Sequence, residues 1–214
     1  MIPSIDNAIQ IAVTLGCSII ALKHALTVRE RAWFLLTLFY FTFFLGDVYY
    51  QLFIMFYGEF LNVSFISDFA WYTSYLFLLL LLIYMNTEDN KNWKYRFRPS
   101  FMPIPVFTIG MCIFYMYSWG DYLSNVIAAT LMMGLIWHAC YGLYALRGQP
   151  EQEGKDRRML CKATLLFCAA EYTLWTSSCF WMGETIYNIY YWADVLLSFS
   201  FVLFLPALRK AVGR

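Results

Sequence analysis

The segment 31-RAWFLLTLFYFTFFLGDVYYQLFIMFY-57 decides how the rest of the chain is read. After Arg31 it contains no further cation and a single carboxylate, Asp47, set in an unbroken apolar and aromatic run. The apolarity is continuous rather than alternating, which excludes a membrane barrel strand, and the run exceeds the roughly 20 residues that carry a helix across a bilayer. A carboxylate placed in hydrocarbon costs about 2.5–3.5 kcal/mol at a span centre, so Asp47 must be satisfied inside the protein or used by it.

Similar runs lie on both sides, and together they predict seven spans at 8–26, 31–57, 66–85, 101–119, 121–146, 159–182 and 186–207. Sixty-one per cent of residues are hydrophobic and 21% aromatic, against 14% charged, the balance of an all-α integral membrane protein rather than a soluble domain. The expectation is a single seven-transmembrane helix bundle over residues 1–214, the second and fifth helices being long enough to tilt.

The net charge of +1 hides a strong polarity. Lys23, Arg29 and Arg31 lie between spans one and two, and Lys91, Lys94, Arg96 and Arg98 between three and four. Arg147, Lys155, Arg157, Arg158 and Lys162 surround the gap between five and six, and Arg209, Lys210 and Arg214 follow span seven. The opposite gaps hold Glu59, Asp68, Asp121 and Glu184 without a cation. The positive-inside rule then predicts an outer N-terminus and a cytoplasmic C-terminus. Basic loops carrying Trp93, Tyr95 and Phe97 suit an anionic inner leaflet, so membrane lipids are expected partners and nucleic acid is not. The first apolar run lacks a basic leader and a small-residue cleavage site, so no cleavable signal is expected.

Six cysteines, none in an outer gap and none at metal-ligand spacing, read as buried thiols without disulfides. No metal or cofactor is expected. His138 in span five reads as a hydrogen-bonded core histidine ahead of a proton relay. Trp71, Trp119 and Trp181 read as interfacial belt residues. The stretch from Arg147 to Arg158, with Gly148, Pro150 and Gly154, reads as a flexible linker between two halves.

Those halves match in spacing. Asp47, Gly58-Glu59 and Asp68 in the first correspond to Glu171, Gly183-Glu184 and Asp194 in the second. The match predicts a parallel three-plus-one-plus-three repeat with span four as connector. Helical rise puts Asp47 about 24 Å from Arg31 and Glu171 about 20 Å from Arg158, with Asp194 at a comparable outer-half depth. Asp47 shares a face with Tyr50 and Gln51, Glu171 with Cys168 and Trp175, Asp194 with Tyr190, and Asp68 heads a Tyr72, Tyr75 stripe. With no cation at that depth, three solutions stand: protonated acids, acids satisfied by neutral donors and water, or acids that await a cationic ligand within an aromatic cage. Plain interhelical hydrogen bonding is the competing structural reading. Span seven has no lysine for a retinal Schiff base, and no zinc, nucleophile-elbow or phosphate-loop motif occurs.

The run RERAWFLLTLFYFTFFLGDVYYQLF with GEFLNVSFISDFAWYTSYLFLLLLL resembles the seven-span sensory modules of bacterial diguanylate cyclase (GGDEF) proteins. The shared features are Arg31, Trp33, Gly46-Asp47, Asp68, Tyr72 and Tyr75. The resemblance implies a sensor in a bacterial cytoplasmic membrane. No cyclase sequence follows span seven, so a separate signalling partner would be needed. FFLGDVYY, LLFCAAEYTL and NIYYWADVLLSFS are more weakly similar to the lysoplasmalogenase family of membrane hydrolases, with Asp194 where that family has an uncharged amide. That likeness implies acid/base cleavage of a vinyl ether in a lipid-like substrate by Asp47, Glu171 and Asp194.

The expected function is therefore a receptor-like module binding a small cationic or amphiphilic ligand in an outward-facing cavity. Its candidate residues are Asp47, Tyr50, Gln51, Asp68, Tyr72, Tyr75, Glu171, Trp175, Tyr190 and Asp194. An intramembrane acid/base enzyme and a small transporter are the alternatives.

Overall fold

The structure is a computed structural model that describes residues 2–57, 65–87, 99–146, 151–180 and 187–212, with side chains described over 6–57, 66–87, 99–146, 156–180 and 187–212. Glu59, the Lys91–Arg98 loop, Arg147, Trp181, Gly183-Glu184, Arg214 and the side chain of Lys155 lie outside the described residues. Seven long helices account for nearly all of the described chain: α1 Ile2–Val28, α2 Arg31–Tyr57, α3 Phe65–Thr87, α4 Pro103–Trp119, α5 Tyr122–Ala145, α6 Glu151–Phe180 and α7 Ile189–Val212, with a short 3₁₀ turn at Pro99–Phe101 before α4. Helices are what hydrocarbon permits, because every backbone N–H and C=O must be paired within its own segment.

The breaks have local causes. Arg29 takes a left-handed conformation, φ 57°, and its N–H reaches the Ala25 carbonyl at 3.0 Å, closing α1 before α2 starts two residues later. Gly120, φ 76°, closes α4 on the Met116 carbonyl at 3.0 Å, and Asp121 at once caps α5 by accepting from the Ser124 N–H at 3.2 Å. Pro103 and Pro105 open α4, where a missing N–H costs nothing.

Three expected boundaries change, among them the end of α7, at Val212 rather than residue 207. α1 begins at Ile2 rather than residue 8, which brings Asp6 into the helix. The expected linker up to Arg158 is helical from Glu151 onward. Pro150 followed by acidic residues is a helix-start pattern, and the chain there obeys it in spite of Gly154.

α1, α2, α3, α5, α6 and α7 form a closed ring in that order, α7 returning to α1, while α4 packs outside against α5. Phe39 sits at the centre of the ring, against Phe43 of its own helix, Phe167 of α6, and Phe201 and Phe204 of α7. The Tyr40 hydroxyl pins α2 to α7 by donating to the Phe201 carbonyl at 2.6 Å. The outer surface is the reverse of a soluble protein's, with Ile19, Leu26, Phe41, Met55, Val106 and Phe199 among many exposed large apolar side chains. A belt of this extent calls for lipid rather than water as solvent. Six of the helices are long and apolar enough to cross a membrane, so the chain is a multi-pass membrane helix bundle. α6 falls outside the six because Glu171, Tyr172, Trp175, Thr176, Ser177 and Ser178 dilute its second half.

Removing the central ring of this core leaves a cavity that its neighbours on α2, α6 and α7 cannot all fill. Phe39→Ala is expected to lower unfolding stability in lipid nanodiscs by about 3–5 kcal/mol. Phe34→Ala, on the exposed side of the same helix, is expected to change it far less. Equal effects would contradict the central role of Phe39.

Candidate functional site: a buried acidic cluster

One helical turn beyond the aromatic core, at the end where α1, α3, α5 and α7 begin, four carboxyl groups are buried on four helices. Asp47 follows Phe43 by four residues on α2 and Glu171 follows Phe167 by four on α6, which puts each about 6 Å above its ring. Asp194 belongs to α7 and Asp6 to α1. Their exposures are 6%, 1%, 3% and 8% respectively, so all four are withdrawn from solvent and lipid alike.

Each deep acid has a neutral partner from a neighbouring helix. The Trp71 indole of α3 donates from Nε1 to Asp47 Oδ1 at 2.9 Å. The Gln10 amide of α1 donates from Nε2 to Asp194 Oδ1 at 2.9 Å. The Tyr75 hydroxyl of α3 hydrogen-bonds to Glu171. Asp6 faces Asp194 closely enough for one proton to bridge them. These partners do not saturate the acids: Asp6 Oδ2, Asp47 Oδ2 and Glu171 Oε1 are buried with no hydrogen-bond partner among the described residues. The four groups are not isolated from one another either. Asp47 and Glu171 lie within electrostatic range, and Asp194 is within range of Asp6, Asp47 and Glu171.

Gly46 explains how the indole gets so close. A Cβ at that position would stand 2.7 Å from Trp71 Nε1 and 2.8 Å from its Cδ1. The Gly-Asp pair is thus one device: glycine makes room for the donor that its neighbouring aspartate accepts.

Aromatic side chains surround the cluster. Tyr190 lies within electrostatic range of Asp194, Asp6, Asp47 and Tyr50, and Tyr50 packs on Trp71 with ring centroids 5.9 Å apart. Tyr72 bonds to Ser124 of α5 and contacts Tyr75 at 6.3 Å. Trp175 packs on Tyr75, also at 6.3 Å. The described cations (Lys23, Arg29, Arg31, Arg157, Arg158, Lys162, Arg209 and Lys210) all belong to the opposite helix ends.

Of the residues expected from sequence, Asp47, Glu171, Asp194, Tyr50, Tyr72, Tyr75 and Tyr190 come together, with Trp175 behind Tyr75. Gln51 instead turns to α1, its Oε1 accepting from Asn7 Nδ2 at 3.0 Å. Asp68 is half-buried at the rim, in the first turn of α3, near Tyr50 and Tyr72. His138 is remote from the acids; its carbonyl accepts from Asn86 Nδ2 at 3.2 Å. The six cysteines are free thiols.

Three participants were not anticipated. Trp71, expected as a belt residue, is the donor to Asp47. Asp6 and Gln10 come from the first turns of α1; Asp6 lies just before the predicted span 8–26 and Gln10 just inside it. Their signal was present as a buried stripe at helical spacing, Asp6, Gln10, Thr14, Cys17, Ala21 and Ala25, which becomes visible once the helix is allowed to begin near residue 2.

No family model, curated protein or solved structure matches the chain.

Proposed function

We propose that this protein is a seven-span, receptor-like membrane module that binds a small, positively charged organic ligand from the outer side of a bacterial cytoplasmic membrane. Three buried carboxylate oxygens without a partner, contributed by α1, α2 and α6 to the cation-free end of the bundle, carry this reading. Each unsatisfied buried acceptor costs about 1–3 kcal/mol, more when charged, and a cation with hydrogen-bond donors offsets that cost. Aromatic rings around the acids suit a cation further. The position of the described Lys and Arg residues supports an outer N-terminus and a cytoplasmic C-terminus, with α6 as the seventh span. The ring order supports a parallel three-plus-one-plus-three repeat, because it pairs the seam between α3 and α5 with that between α7 and α1 and leaves α4 as the outlying connector. The resemblance to cyclase-linked sensory modules agrees with a sensing role.

A second reading, lipid vinyl-ether hydrolysis, is favoured by the pairing of Asp47 and Glu171 across the site, each with one unpartnered oxygen, as proton delivery and water activation require. Purified protein that releases aldehyde from a vinyl-ether lysolipid would favour this reading over a receptor.

In nanodiscs, thermal unfolding against a panel of small organic cations, with matched neutral alcohols as controls, tests the receptor reading. At a hundredfold excess over Kd a bound cation stabilises by about 2.7 kcal/mol, a shift of a few degrees. The shift is expected for one or more cations, for none of the alcohols, and is expected to vanish in the Asp47→Asn, Glu171→Gln double variant. Indifference to every cation would remove the proposal. For topology, a fluorescent protein fused after Arg214 is expected to fluoresce, and a phosphatase that folds only outside the cytoplasm is expected to be inactive at the same junction; the reverse pattern would invert the orientation.

A further inference from the structure

The acids fall into two adjoining poles. At the seam of α1 and α7, Asp6 faces Asp194, which Gln10 also holds, and Asp6 Oδ2 has no donor. Between α2, α3 and α6, Asp47 and Glu171 each take a single donor from α3 and each keep an unpartnered oxygen. Asp194 is within electrostatic range of both members of the second pole, so the two poles form one site. They do not collapse onto a point: among the described residues no three acidic, histidine or cysteine side chains gather closely enough to hold a metal ion. A single small ion therefore does not reach all three unpartnered oxygens. An elongated ligand does, provided that it carries positive charge and N–H donors at both ends. Tyr190, which lies in electrostatic range of Asp6, Asp194 and Asp47, and the Tyr50–Trp71 pair supply aromatic faces for the chain of the ligand.

On the basis of the cation-binding reading above, we propose that the ligand is a linear organic dication of the diamine or guanidino-amine class, one end held between Asp6 and Asp194 and the other between Asp47 and Glu171. An ammonium bound beside Asp6 and Asp194 donates to both carboxyl groups and brings the positive charge that two facing acids lack. Each ammonium also has three donors, enough to reach the unpartnered oxygen and its neighbour by charge-assisted hydrogen bonds. A quaternary ammonium has the charge but no N–H, and would leave the same oxygens unsatisfied.

The test compares 1,4-diaminobutane, butylamine and the bis-trimethylammonium analogue of the diamine, measured by calorimetry on the full-length protein in neutral nanodiscs. The diamine is expected to bind more tightly than either of the others by about tenfold or more. Asp6→Asn, placed near the start of α1 where the helix core is least disturbed, is expected to remove most of the diamine's advantage over butylamine. Equal affinity for diamine and monoamine would overturn the two-pole arrangement. Equal or tighter binding of the bis-quaternary compound would overturn the requirement for N–H donors while leaving cation binding intact. No binding by any of the three, with no shift from other organic cations, would overturn both this inference and the reading beneath it.

Discussion

A shortage of donors in the acidic half of the bundle governs the rest of the structure. A carboxylate offers two oxygens and about four lone-pair directions, and a guanidinium fork would cover both oxygens at once. The chain uses Trp71 and Tyr75, each with one polar hydrogen to give, and Gln10, which reaches one oxygen of Asp194. One donor against two acceptors leaves a remainder on Asp47 and Glu171 by simple stoichiometry, and Asp6, which none of these donors reaches, adds a third unpartnered oxygen. A structural polar network would be expected to close on itself, because a half-satisfied one is worse than apolar packing. This one stays open on three helices.

An open network needs a rigid frame, and the aromatic layer below it supplies one. Phe39, Phe43, Phe167, Phe201 and Phe204 interlock from α2, α6 and α7, and Tyr40 ties the first of these helices to the last through a buried backbone carbonyl. Asp47 and Glu171 each stand one turn above a member of that layer, so their height is set by packing rather than by their own contacts. The same layer separates the acids from the basic ends of the helices. A through-path for a solute would require these buried rings to part.

Much of this was legible in the sequence, for identifiable reasons. Helix positions follow from the length of apolar runs, which hydrocarbon enforces, so α2 begins and ends where expected and α3, α4 and α5 differ by only a few residues. Equal depth and the absence of cations singled out Asp47, Glu171 and Asp194, but whether their faces meet was not legible, because height along a helix does not fix which neighbour a face turns toward. Trp71 was obscured because a tryptophan near a span end is ordinarily an interfacial anchor; only the absent Cβ of Gly46 turns it into a hydrogen-bond donor. Asp6 was obscured because hydropathy marks where the hydrocarbon run begins, not where the helix begins; Gln10 lay inside the expected span, but nothing in the sequence tied its amide to Asp194 on the last helix. Glu151–Arg158 was mistaken for a linker because glycine and charge signal a loop only when no continuing helix stiffens them.

Helix polarity separates the acids that are merely tolerated from those that call for a ligand. α1, α3, α5 and α7 all begin at the acidic end, and the exposed N–H groups of a first turn act as partial positive charge worth about 0.3–1 kcal/mol to a nearby anion. Asp68 lies in the first turn of α3 and Asp121 caps α5, so both are stabilised by their own helices. Asp6 and Asp194 lie just beyond that reach, and they face each other. Asp47 and Glu171 are worse placed, because α2 and α6 run the other way and present carbonyl ends to this side of the bundle. Among the described residues neither a helix N-terminus nor a basic side chain reaches them, and each has a single neutral donor. The two deepest acids are therefore the two that the fold does least to satisfy, and a donor supplied from outside the chain would gain most by reaching them.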